Sequence, residues 1–106
     1  MSTTQTASQR ITSELSSWPG VHSGPGRRGE FAFKLGRHEL GHLHGDRSAH
    51  FFFPKDTWRE LKREGRITEH PVFPDREGPA ARAIHDEADV AEVIALMRLN
   101  YERFGA

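Results

Sequence analysis

The stretch "EFAFKLGRHELGHLHGDRSAHFFF", Glu30 to Phe53, decides the fold. Glu30 to Leu35 alternates strictly, with Phe31, Phe33 and Leu35 on one side, the period-two pattern of a half-buried strand. Gly36-Arg37 suits a two-residue hairpin turn with glycine first, so His38 to His44 returns antiparallel. That register opposes Lys34 to Glu39, Phe33 to Leu40 and Phe31 to His42. Gly45-Asp46-Arg47 makes a three-residue loop, and Ser48 to Phe53 follows as the next strand. His42 then faces His50, Leu40 faces Phe52 and His44 faces Ser48. Together the two turns predict a meander with Phe31, Phe33 and all three histidines on one face. A slip of one residue in either hairpin would break that agreement.

Outward from this core, Ser8, Ile11, Leu15 and Trp18 follow helical spacing until Pro19-Gly20 stops it, and residues 1–7 are predicted disordered. "HSGPGRRG", His22 to Gly29, reads as a loop. Pro54 opens a helix with Trp58 and Leu61 inward, closed by Gly65. "ITEHPVFPD" is extended, because Pro71 and Pro74 bias His70 and Phe73 away from helix. Pro79 to Ile84 reads as another strand. Asp86 caps the last helix with Asp89 as its acidic partner, and Val90, Ile94, Met97, Tyr101 and Phe104 form its apolar stripe. The expectation is a single α+β domain over residues 8–106. It has two layers, an antiparallel sheet of about four to five strands with helices packed on one face.

The chain has 106 residues, with 15 basic and 15 acidic side chains and a pI near 7.1. That balance argues against nucleic acid as partner, since phosphate binding leaves a basic excess. No long apolar segment or signal sequence is evident, so a cytoplasmic location off the membrane is expected. Cysteine is absent, which excludes disulfides, thiolate metal sites and a cysteine nucleophile. No nucleotide-binding glycine loop or nucleophile elbow is present.

Seven histidines are the anomaly. His42 and His44 lie two apart on a strand and point the same way, and His50 joins them from the neighbouring strand. Three converging imidazoles can hold Zn or Fe. They can equally form a metal-free acid/base and binding cluster, because neighbouring imidazoles depress one another's protonation. His42, His44 and His50 are therefore the candidate catalytic residues, and the ligands if a metal is present. His70 can reach the same place, and Glu39 could add a carboxylate although the pattern turns it to the other side. Arg82 could bind an enolate oxygen, or simply pair with a carboxylate. Phe51, Phe52 and Phe53 read mainly as core.

The run "EFAFKLGRHELGHLHGDRSAHFFFP", then "EHPVFPD", then "AIHDEADVAEVIALMRLNYERF", resembles the luciferase-domain family, named after the fungal luciferase. The resemblance implies a domain that oxidises a hydroxylated pyrone-type substrate with molecular oxygen and needs no added cofactor. Glu30, Glu39, His42, His44, His50 and His70 match its pattern. An imidazole would be the base that makes an electron-rich enolate, with Phe31, Glu39, His70 and Arg82 around the substrate. The segment between His44 and His50 is shorter than in the fungal enzyme, and the fungal anchoring segment is lacking. The fold and the site therefore transfer better than the substrate, and light emission is not expected. The expected partner is a small molecule, and the chain a monomer or homodimer. The alternative is a non-catalytic metal- or ligand-binding module using the same histidines.

Overall fold

The computed structural model describes residues 5–105. Helix α1 (Ala7–Ser16) starts from Thr6, whose side chain and Gln9 form a reciprocal capping box. The expected disorder over residues 1–7 falls partly on residues 1–4, outside the described ones. Next come β1 (Val21–Pro25), β2 (Phe31–Leu35), β3 (His38–His44), β4 (Ser48–Phe52), α2 (Lys55–Arg63), β5 (Thr68–Glu69), β6 (Pro79–Ala83) and α3 (Glu87–Gly105). The strands form one six-stranded sheet in the order β1-β2-β3-β4-β6-β5, every pair antiparallel. The α+β class holds, with more strands than expected.

One extra strand is β1. The sequence expectation of a loop at His22 to Gly29 is corrected here. Val21 to Pro25 pairs along the whole of β2. Gly24 and Pro25 are tolerated because β1 is an edge strand, where a missing amide donor breaks no second ladder.

All three helices pack on one side of the sheet. Ile11, Leu15, Trp58, Leu61, Val93, Leu96 and Met97 join Phe33, Leu43, Ala49 and Phe51 in one buried cluster. Among the described residues, the other side carries no helix.

The largest correction concerns the β2–β3 register. Lys34 pairs with Glu39 as expected, but the next pair is Phe33 with Gly41, then Ala32 with His42 and Phe31 with Leu43. Leu40 is an extra residue, a β-bulge. Its cause is packing. Leu40 and Leu43 are both fully buried, yet a regular strand sends residues three apart to opposite faces. The bulge reconciles them, and glycine at 41 makes it fit, since a Cβ there would lie 2.8 Å from Met97 Sδ and 2.9 Å from Phe51 Cδ1.

The consequence is a change of face. The expectation that the histidines share a surface with Phe31 and Phe33 is overturned. Phe31, Phe33, Leu43, Ala49 and Phe51 look into the helix layer, while His42, His44 and His50 lie on the side away from the helices. Phe52 goes with the histidines and is 60% exposed, so it is not core, and the β3–β4 ladder stops at His42–His50 before the expected Leu40–Phe52 pair.

Candidate functional site

The β3–β4 hairpin sets His42 opposite His50 and His44 opposite Ser48, in the register the three-residue loop demands. On either side the neighbours are alanines. Ala32 stands across from His42 on β2, and Ala81 across from His50 on β6. A row Ala32–His42–His50–Ala81–Thr68 thus crosses the sheet. The methyl groups leave room for the imidazoles, which accounts for a small residue at Ala81 of β6.

The imidazoles touch. Ring centroids are 5.0 Å apart for His42–His44, 5.3 Å for His42–His50 and 4.3 Å for His44–His50. His44 Nε2 and His50 Nδ1 share a hydrogen bond of 3.0 Å, so one ring donates and the other accepts. His70, just beyond β5, closes over His50 with ring centroids 4.3 Å apart. Its Nδ1 accepts the Val72 N–H at 3.1 Å. An accepting nitrogen carries no proton, which leaves the His70 proton on Nε2 as a donor.

The bulge also brings in Glu39. Because Leu40 is extra, Glu39 and His42 emerge on the same side, and Glu39 Oε2 accepts from His42 Nδ1 at 2.8 Å. The expectation that Glu39 faces away is therefore corrected. A carboxylate on Nδ1 fixes the tautomer, orients the ring and leaves Nε2 with a free lone pair. Glu30 lies nearby. Its carboxyl is held below the ordinary range, chiefly by backbone N–H groups of Glu30 and Arg28, with weaker attraction from His42 and His44.

His50 is only 8% exposed. Burial pushes its pKa down to about 4, and repulsion from His70, His44 and His42 adds to this. Burial and the neighbouring His42 and His44 lower His70 in the same sense. The His50 imidazole therefore stays neutral well into the acid range. The linkage has a definite sign. Unfolded His50 takes up its proton near 6.5, and folded His50 not until about 4. Stability is full above that upper value and is lost as pH falls between the two, by on the order of 3 kcal/mol for one such site. Urea midpoints of metal-free protein should fall through this window, and His50→Gln should fall less steeply, keeping the part that His70 contributes in the same sense. Equal pH dependence in both proteins would show that His50 is not the group responsible.

Two expected site residues lie elsewhere. Arg82 sits opposite Ala49 on the helix side. Its guanidinium donates to the Arg66 carbonyl at 3.0 Å and to Asp89 Oδ1 at 2.6 Å, an ion pair that ties β6 to α3. Phe31 faces the helix layer and packs edge-on against Phe33. It lines an open groove of about 1010 Å³ with Leu43, Ser8, Gln9 and Thr12. That groove lies across the sheet from the imidazoles. The other histidines are apart from the cluster. His22 Nε2 contacts the Gly36 carbonyl and His38 stacks on Phe104.

Two features of the site were not anticipated. One is the alanine row. The other is an apolar rim. Phe52 is two residues past His50 on the same strand face. Val72 and Phe73 are 64% and 43% exposed, and the Phe73 ring lies 5.4 Å from that of His70. The odd spacing of Leu40 and Leu43 around Gly41 is the sequence signal that would have located the bulge.

Chemically, the cluster offers a carboxylate-oriented imidazole, a hydrogen-bonded imidazole pair and an imidazole N–H donor. His42, His44 and His50 could also hold a metal ion, since one ligand nitrogen from each lies within 4.8 Å of the others. Among the described residues, no helix is long and apolar enough to cross a membrane. No match is found among curated proteins or among solved structures. The family model described as "Luciferase domain" matches residues 37–100, from the turn before β3 to Asn100 in α3. That is more than half of the chain and includes Glu39 and all four clustered histidines, and the protein therefore belongs to the luciferase-domain family.

Proposed function

We propose that this domain binds a small enolisable aromatic molecule over the imidazoles and oxidises it with molecular oxygen. The Glu39–His42 pair carries this reading. Its Nε2 takes the substrate proton, and the carboxylate on Nδ1 stabilises the imidazolium that forms. The His70 N–H holds the resulting oxyanion. An electron-rich enolate is the species that reacts with oxygen. Phe52, Val72 and Phe73 suit the body of an aromatic ligand, since a large exposed apolar group beside polar chemistry marks a binding surface.

The test is oxygen consumption by tag-free protein against a panel of hydroxylated pyrones and other enolisable aromatics. Ligand-dependent uptake by the wild type is expected. Saturable binding at the histidines without uptake of oxygen would reduce the domain to a ligand-binding module.

A second reading rests on the spacing of the three ligand nitrogens. In it, His42, His44 and His50 hold Zn or Fe, with Glu39 as the carboxylate behind His42. The 3.0 Å between His44 Nε2 and His50 Nδ1 is close to the separation of two nitrogens on one ion. Elemental analysis of protein purified without added metal decides it. Stoichiometric metal supports this reading, and metal-free folded protein removes it.

A further inference from the structure

We infer that Asn100 is a positioning residue for the Glu39–His42 pair, acting from the far side of the sheet by holding the bulge in place. Asn100 lies on α3 and is fully buried, with His50 one of two buried polar residues among the described ones. A buried amide must find partners for both of its ends. Its Nδ2 donates to the Leu40 carbonyl at 3.0 Å and to the Phe52 carbonyl at 3.2 Å.

Those two carbonyls have a common origin. The β3–β4 pairing runs from His44–Ser48 to His42–His50 and goes no further. The next pair to exchange backbone hydrogen bonds would be Leu40 with Phe52, two positions on, but Leu40 is the bulged residue. The bulge interrupts the ladder there, and the Asn100 amide takes the place of the missing backbone donors.

Arg103 fixes which way the amide points. Its Nε and Nη2 donate to Asn100 Oδ1 at 3.2 and 2.8 Å. The oxygen end is thereby held toward the guanidinium and the NH₂ end toward the carbonyls. The chain of contacts runs Arg103, Asn100, the Leu40 carbonyl, Glu39, His42. Without the clamp, β3 can relax toward regular pairing with β2, which would turn Glu39 away from His42.

The catalytic consequence rests on the role proposed for His42, but the geometric claim does not, and its test reads the imidazole itself. Two-bond ¹⁵N–¹H spectra above pH 7.5 report which ring nitrogen of His42 carries the proton. In the wild type the Nδ1–H form should dominate, because a carboxylate can only accept. Glu39→Gln supplies the signature of the lost partner. In Asn100→Leu the Nδ1–H form should drop to a minority. Arg103→Met, at an exposed position, should shift it the same way by a smaller amount and decides the matter if Asn100→Leu does not fold. Leu96→Ala, which weakens the same helix without touching the clamp, should leave the Nδ1–H form dominant. An unchanged Nδ1–H signature in folded Asn100→Leu, or in Arg103→Met where the former is unfolded, overturns the inference. So does an equal loss in Leu96→Ala. None of these outcomes depends on whether the protein consumes oxygen.

Discussion

Gly41→Val is expected to destabilise the domain by about 3 kcal/mol or more, the upper end for overpacking a well-filled interior. The reason is space, since the backbone at Gly41 needs no left-handed conformation. A Cβ at this position meets Met97 Sδ at 2.8 Å, Met97 Cε at 2.9 Å and Phe51 Cδ1 at 2.9 Å. The Met97 thioether is the flexible end of a side chain and can give way to one methyl group. The Phe51 ring, wedged in the core and stacked near Phe53, cannot move as cheaply. Gly41→Ala should therefore cost about 1 kcal/mol, with valine adding two methyls that have nowhere to go. In a domain of this size each kcal/mol lowers the melting temperature by about 4–8 °C. Thermal melts of the two variants give the comparison directly. A valine variant as stable as the wild type would show that α3 does not press on the bulge at Gly41.

This prediction touches function because the same glycine lets β3 reverse the faces of its side chains. The reversal also marks the limit of what the sequence made legible. Turn chemistry was enough to pair His42 with His50 and His44 with Ser48, since Gly45-Asp46-Arg47 admits one register. It was enough to set Lys34 against Glu39 across Gly36-Arg37. Both signals are local, carried by residues a few positions apart. The bulge is not local. It arises because Leu40 and Leu43 must both be buried in the helix layer, formed in part by Met97 and Asn100 far along the chain. Strict alternation therefore placed the histidines on the aromatic face, the wrong side of the sheet. Arg82 went astray through strand parity, since its neighbour Ala81 is the residue facing His50. Asn100 did leave a trace, as a polar residue three positions past Met97 on the buried side of α3. Nothing in the sequence says that its partners are two carbonyls of the sheet.

His42→Ala is expected to lower oxygen-uptake turnover by about 10²–10⁴-fold, the usual loss for a positioned general base, with the fold intact. Its Nε2 is the one ring nitrogen in the cluster both free of a hydrogen-bond partner and backed by a carboxylate. Glu39→Gln should then lose less, because the imidazole remains and only its orientation and its partner charge are gone. His70→Ala separates the two readings of the site. His70 Nδ1 is occupied by the Val72 N–H, which leaves an N–H donor and no free lone pair. If the cluster works as an acid/base site, His70→Ala should cost about 10²–10³-fold in turnover through loss of an oxyanion donor. If it is a metal centre, His70→Ala should leave metal content unchanged, whereas His42→Ala, His44→Ala and His50→Ala should each release the ion. Glu39→Gln should then weaken the metal by about 10–100-fold, as loss of a supporting carboxylate does. Turnover and metal content measured on the same five variants therefore give different patterns for the two mechanisms. A folded His42→Ala protein that keeps both the oxygen-uptake rate and the metal content of the wild type would remove His42 from both.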